Sequence, residues 1–191
     1  WNEDNFNIFM NPYTKKCYDD KKFAFLSDYV RLVVIEANGG IYFDTDVEVV
    51  KSFDDLLDCK AFFGFETNEY VNTGVGFGAE AHNPAIIQML KEYEPLLDGR
   101  QGIIGCPHLN TKALIKCGLK KNGQKQDLKD ASVFPAEYFN PYDAPTGKLN
   151  KSELTYSIHW YAASWMDKKQ RLRSKISKPI HRLLGKDFFR K

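Results

Sequence analysis

Residues 25–47 read FLSDYVRLVVIEANGGIYFDTDV, and three local signals follow one another within them. The periodicity predicts a helix over 21–38, with Phe23, Leu26, Val30, Val33, Val34 and Ala37 as its apolar stripe. Asn38-Gly39-Gly40 ends that helix, because glycine accepts the left-handed backbone of a helix terminus without strain. Ile41-Tyr42-Phe43 then predicts a short strand, and Asp44-Thr45-Asp46 follows it directly. In extended chain, residues two apart share a face, so the two carboxylates are expected side by side. Such a pair repels itself and favours a divalent cation, Mg2+ or Mn2+. Its place just past a strand is where α/β sheets carry their ligand sites.

Further strands are predicted at 47–50, 61–65, 74–78, 133–134 and 157–160. A helix is predicted over 85–94, introduced by Asn83-Pro84, and another over 111–117, ended by Gly118. Residues 120–130 are polar and read as an exposed loop. Helices and strands alternate, which defines an α/β sandwich in which helices flank a sheet. At 191 residues, with 43% hydrophobic and 27% charged side chains, the chain suits one domain with a sizeable core. It opens on Trp1 and not Met, so upstream sequence is expected to be missing, including an opening strand.

Cys17, Cys59, Cys106 and Cys117 show no zinc-knuckle spacing and are expected to be free thiols of a reducing cytosol. Net charge is +2 but unevenly spread. Residues 167–191 hold ten Lys or Arg against two Asp, a net +8, which leaves −6 on the remainder. The expected division is therefore a core of 1–166 and a basic, amphipathic tail of 167–191. Leu172, Ile176, Ile180, Leu183 and Leu184 give the tail an apolar side, so 168–191 is expected to meet an anionic membrane surface. A solvated terminal helix is the plainer alternative. The acidic core disfavours nucleic acid as a partner.

Ser27, Asp28 and Arg31 fall on one arc of the first helix. Helix geometry by itself makes Asp28 and Arg31 an ordinary surface ion pair. The order of the pieces says more. Ser-Asp-x-x-Arg, an apolar helix, Gly-Gly-Ile-Tyr and Asp-x-Asp together resemble the signature of the DXD sugar-binding glycosyltransferases. Glycosyltransferase family 32, with the yeast initiating mannosyltransferases and bacterial capsule enzymes, shows this pattern, as do the clostridial glucosylating toxins.

The resemblance implies a GT-A fold, a nucleotide-sugar donor (UDP-sugar favoured, GDP-sugar possible), a divalent metal and retention of anomeric configuration. It implies catalytic roles for Asp28, Arg31, Asp44 and Asp46. Asp28 and Arg31 would hold the donor sugar, Asp44 would contact ribose or sugar, and Asp46 would ligate the metal. Ser27 and Tyr42 join them as donor-binding residues. Asn72, in Asn72-Thr-Gly-Val-Gly-Phe-Gly-Ala, resembles the family's small-residue strand behind the donor. Gly105-Cys-Pro-His-Leu-Asn-Thr resembles a Gly-Pro-x-x-Leu-Thr segment split here by Cys106, and Phe134-Pro-Ala-Glu-Tyr-Phe-Asn-Pro resembles a late structural strand. His159, Ser164 and Trp165 resemble the closing His-x-x-x-x-Ser-Trp motif, which implies His159 as a second metal ligand and Ser164 and Trp165 over the diphosphate.

The implied acceptor is a glycan or lipid-linked saccharide of capsule or cell envelope, met by a cytoplasmic enzyme at the inner face of a membrane. Two rivals remain. A non-catalytic or truncated sugar-nucleotide-binding module would keep the motifs. A haloacid-dehalogenase-type phosphatase also carries Asp-x-Asp after an apolar strand. It usually places Thr or Val two residues past the second aspartate, where this chain has Glu48.

Overall fold

The computed structural model describes residues 2, 4–162, 177–183 and 185. Helix α1 (Pro12–Asp19) leads into α2 (Phe23–Asn38), β1 (Gly40–Tyr42) and β2 (Val47–Val49). Then come β3 (Ala61–Gly64), β4 (Phe77–Ala79), α3 (Pro84–Tyr93) and α4 (Cys106–Lys116). After them lie β5 (Gln126–Asp127), β6 (Ser132–Phe134) and α5 (Ala136–Phe139). The hairpin of β7 (Tyr142–Asp143) and β8 (Lys148–Leu149) precedes β9 (Ser157–His159).

The main sheet runs β1-β4-β3-β6-β5. It is mixed: β3 and β6 are parallel, while β1 with β4, β3 with β4 and β5 with β6 are antiparallel. Strand β3 shows why the sheet has two covered faces. Ala61 and Phe63 point to a core built with Leu32, Ile86, Met89 and Leu114 of the helices. Phe62 points the other way, into an aromatic cluster with Phe53, Phe139 and Tyr156. That alternation is the two-residue period of a strand buried on both sides. Glycine keeps the second face close: a Cβ on Gly78 would meet the Phe62 ring at 2.5 Å, and one on Gly64 the Phe139 ring at 2.6 Å.

On the helical side, the rings of Tyr13, Tyr29 and Tyr93 interlock α1, α2 and α3, with centroids 5.3–6.2 Å apart. Helix α1 lies outside the helices expected from periodicity. Its start nevertheless repeats the signal used for α3. Asn11 accepts the Thr14 N–H ahead of Pro12, as Asn83 accepts the Ala85 N–H ahead of Pro84. Each such cap is worth about 1 kcal/mol.

Several expectations shift in register. The buried face of α2 is Leu26, Tyr29, Leu32 and Ile35, while Phe23 is exposed and Val30, Val33 and Val34 are half-buried. The helix is apolar around most of its girth, so composition does not fix which side turns inward. The run 74–78 is not one strand: Thr73–Val75 forms a 3-10 turn and β4 begins at Phe77. Helix α4 starts five residues before its expected start at Thr111, at Cys106-Pro107, because proline is favoured in a first helical turn. Within the loop 120–130, Gln126 and Asp127 pair with β6 as an edge strand.

The four cysteines are free. Among the described residues no helix is long and apolar enough to cross a membrane. Most of the tail 167–191 lies outside the described residues, as do Ser164 and Trp165. Residues 177–183 are helical, and Lys178 Nζ donates to the Tyr142 hydroxyl at 3.0 Å.

Candidate active site

The site begins with Arg31, buried in α2 with a side chain only 2% exposed. A buried guanidinium requires carboxylates and acceptors around it. Nε donates to the Ser27 carbonyl at 3.1 Å. Nη2 donates to Asp28 Oδ1 at 2.7 Å and to Ser27 Oγ at 3.3 Å, and lies 3.3 Å from Asp44 Oδ1. Nη1 is buried and has no hydrogen-bond partner among the described residues. The guanidinium also stacks over Tyr42, 4.7 Å from the ring centroid, and the Tyr42 hydroxyl donates to Asp44 Oδ1 at 2.9 Å. Ser27, Asp28, Arg31, Tyr42 and Asp44 are thus one contiguous cluster. Asp28 and Arg31 are not the solvated surface pair that helix geometry alone suggests.

Burial pushes the Asp28 carboxyl up, against the pull of Arg31 and the backbone N–H of Cys106. Desolvation works to lower the Arg31 value, but Asp28 outweighs it and the guanidinium is held above its ordinary range. Both shifts have one origin, a charge cluster withdrawn from water.

Gly74 closes the cluster from above. A Cβ there would lie 2.5 Å from Asp44 Oδ2 and 3.2 Å from Arg31 Nη1. Glycine at this position is a matter of space, and any side chain would crowd Asp44 Oδ2 and Arg31 Nη1.

Asp44, Thr45 and Asp46 are not extended as expected. They form a turn between β1 and β2, closed by the Val47 N–H donating to the Asp44 carbonyl at 3.1 Å. Strand β9 pairs with β2, with Val47 opposite His159, and this brings the imidazole to the turn. Trp160 N–H donates to the Asp46 carbonyl at 3.0 Å and Ala162 N–H to Asp46 Oδ2 at 2.8 Å. His159 Nε2 lies 3.1 Å from Asp46 Oδ1, while its Nδ1 is buried without a partner.

Asp44, Asp46 and His159 each offer a ligand atom, all within 4.8 Å of one another. Ligands about 2.1 Å from one octahedral ion stand roughly 3 to 4 Å apart. Two carboxylates and an imidazole therefore fit Mg2+ or Mn2+ with a small closure. The set includes Asp44 as well as the expected Asp46 and His159.

Asn72 is turned mostly toward the protein. Its Oδ1 accepts the Gly74 N–H at 2.7 Å and lies 3.3 Å from the Cys106 sulfur, while its Nδ2 donates to Glu66 Oε1 at 3.2 Å. Sequence reasoning missed Cys106 as a participant, and with it Glu66, Asn140 and Tyr161. Tyr161 donates its hydroxyl to Glu66 Oε1 at 2.9 Å and accepts from Asn140 Nδ2 at 2.8 Å. The Tyr161 and His159 ring centroids are 4.1 Å apart. Only the split motif at Cys106 carried a local signal; the others meet through long-range pairing.

A mixed sheet flanked by helices, with a buried arginine–aspartate cluster beside an Asp-x-Asp turn, defines a mixed α/β protein with an acidic candidate site. Residues 2–63 match the family described as "Glycosyltransferase sugar-binding region containing DXD motif". The segment is similar to that sugar-binding region, and Asp44-Thr45-Asp46 is the Asp-x-Asp it contains. The chain is also 44% identical over 48 residues to "Glucan organizing enzyme 1" of Cryptococcus neoformans var. grubii serotype A. That stretch covers 25% of this chain and 13% of the fungal protein.

Proposed function

We propose that this chain is the donor-binding core of a divalent-metal-dependent, retaining hexosyltransferase with a GT-A-type fold. The observation that carries the reading is the convergence of Asp44, Asp46 and His159 beside a buried Arg31 whose Nη1 has no partner. A sugar hydroxyl supplies the acceptor that Nη1 lacks. Asp28, salt-bridged to Arg31, and the free oxygen of Asp44 complete the hold on the sugar, with Ser27 and Tyr42 fixing the arginine and Asp44 from behind.

Asp44, Asp46 and His159 would hold the metal, and Mn2+ or Mg2+ bound there would offset the charge that develops on the departing diphosphate. The cluster holds the sugar still while the acceptor hydroxyl approaches. Attack on the face from which the diphosphate leaves accounts for retention without a covalent intermediate. Intact mass after incubation with donor is expected to show no glycosyl adduct, and an adduct would refute this.

The reading extends to a UDP-sugar in preference to a GDP-sugar, and to a glycan or lipid-linked acceptor of capsule or cell envelope. The name of the fungal relative, which speaks of glucan, supports a polysaccharide acceptor. Residues 1–166 would be the transferase core, with Ser164 and Trp165 over the diphosphate. Residues 167–191 would dock it on the inner face of an anionic membrane, and the free cysteines support a reducing compartment.

Calorimetric titration with UDP and GDP, with and without Mn2+, tests the core of this reading. Mn2+-dependent binding that disappears in Asp46→Ala is expected. Metal-independent binding, or an unaffected mutant, would overturn it.

A further inference from the structure

We propose that Glu66 is the side chain through which the far wall of the site reads the donor sugar, by accepting a hydroxyl hydrogen bond on Oε2. This rests on the donor-binding reading above.

The two ends of the site are joined by a continuous arc. One end is Arg31 with Asp28 and Asp44, and the other is Asp46 with His159. Cys106 touches both Asp28 and Asn72, Asn72 donates to Glu66, and Tyr161 donates to Glu66 while packing on His159. Glu66 is the middle of that arc.

Its setting is that of a group held ready for a ligand. Both side-chain bonds end on Oε1, and both donors are neutral. The donors are themselves fixed. Asn72 is held by the Gly74 N–H, and Tyr161 by Asn140, whose Nδ2 also donates to the Glu66 carbonyl at 3.1 Å. Tyr161 adopts a left-handed backbone (φ 50°), which a tyrosine rarely takes, so its hydroxyl is directed at Glu66 at some local expense. Among the described residues no ion pair reaches Glu66, and the partners recorded for its side chain are the Asn72 amide and the Tyr161 hydroxyl.

A carboxylate with one oxygen fixed and no cation beside it is a strong acceptor for hydroxyls, and sugar hydroxyls are the donors this site would admit. Asn72 is the bracket behind it, because its amide is largely used by Gly74, Cys106 and Glu66. Glu66 therefore contributes to which hexose is chosen, since a hydroxyl of the wrong configuration leaves Oε2 unpaired.

The test compares Glu66→Gln with wild type in Mn2+ titrations of UDP against UDP-glucose and UDP-galactose, and of GDP against GDP-mannose. Glutamine keeps an oxygen for Asn72 and Tyr161 but replaces Oε2 with a donor. The expected result is a loss of about tenfold or more in affinity for the preferred sugar nucleotide, with the free diphosphate binding as before. Tyr161→Phe, which removes one of the two bonds to Oε1, is expected to give a smaller loss with the same selectivity for the sugar. An unchanged gap between sugar nucleotide and diphosphate in Glu66→Gln would overturn the proposal. Equal weakening of both ligands would also overturn it, since Glu66 would then be supporting the fold or the metal. Wild type that binds neither diphosphate would bring down the donor-binding reading and this one with it.

Discussion

Two buried charge clusters sit on the helices of this molecule, and they are built in opposite ways. Glu92 of α3 is one carboxylate between two cations, Lys112 and Lys116 of α4, at 2.9 and 2.5 Å. Gln88 adds a hydrogen bond at 3.2 Å. Both lysine side chains are more than half exposed, so water solvates whatever Glu92 does not use. Arg31 of α2 is one cation between two carboxylates, and its Nη1 is left buried with no partner. The Glu92 cluster is closed and joins two helices. The Arg31 cluster is open and lies beside the Asp-x-Asp turn. A charge cluster made for stability satisfies itself, while one made for a ligand leaves an atom unsatisfied.

Arg31→Ala puts this contrast under the most strain. It leaves Asp28 buried without its cation, and unfolding is expected to be easier by about 3 to 4 kcal/mol, measured by denaturant melts. A loss under about 1 kcal/mol would mean that the cluster is not tightly coupled. Asp46→Asn is expected to lower transfer or donor hydrolysis about 10²- to 10³-fold, with the melting temperature unchanged or raised. Removing one of two facing carboxylates relieves repulsion, so a stability gain beside an activity loss would mark the turn as functional.

Glu92→Gln should do the reverse, costing about 1 to 2 kcal/mol at pH 7 with donor binding intact. Burial works to raise the Glu92 carboxyl, but Lys116 and Lys112 outweigh it and hold it below the usual range. A carboxyl lowered in the folded state contributes stability above its unfolded value of about 4.3 and loses it as pH falls through the folded value. The gap between wild type and Glu92→Gln should therefore close in melts taken below about pH 4. A constant gap would mean that shape and not charge is at work. The smallest effect expected is from salt. In melts at 0.5 M NaCl the Glu92 contribution should weaken by a few tenths of a kcal/mol, while the cost of Arg31→Ala stays put, because exposed lysines are screened and a buried pair is not.

What the sequence made legible follows the range of each interaction. The helix over 23–38, its glycine stop and the strand before Asp44 are all local, and periodicity finds them. The inward face of α2 was displaced because the helix is apolar nearly all round. Helix α1 lacks a long apolar period, although Asn11-Pro12 announces it as plainly as Asn83-Pro84 announces α3. The two aspartates are legible as a pair, but the turn that carries them and the histidine that β9 brings to Asp46 are not. Glu66 and Tyr161 are 95 residues apart and meet only in the folded chain. No window of sequence holds both.

The pairing of β2 with β9 also has a kinetic side. Asp46 and His159 are separated by 113 positions, so their meeting closes a loop of more than half the chain. Loops of that span are costly in entropy and slow to form, and such contacts tend to arrive last in folding. The family-like segment 2–63 holds both aspartates yet lacks the strand that meets them. A cation gripped from both sides would act as a reversible crosslink between the first third of the chain and β9. It would slow the detachment of β9 and raise stability in proportion to the logarithm of its concentration above its dissociation constant.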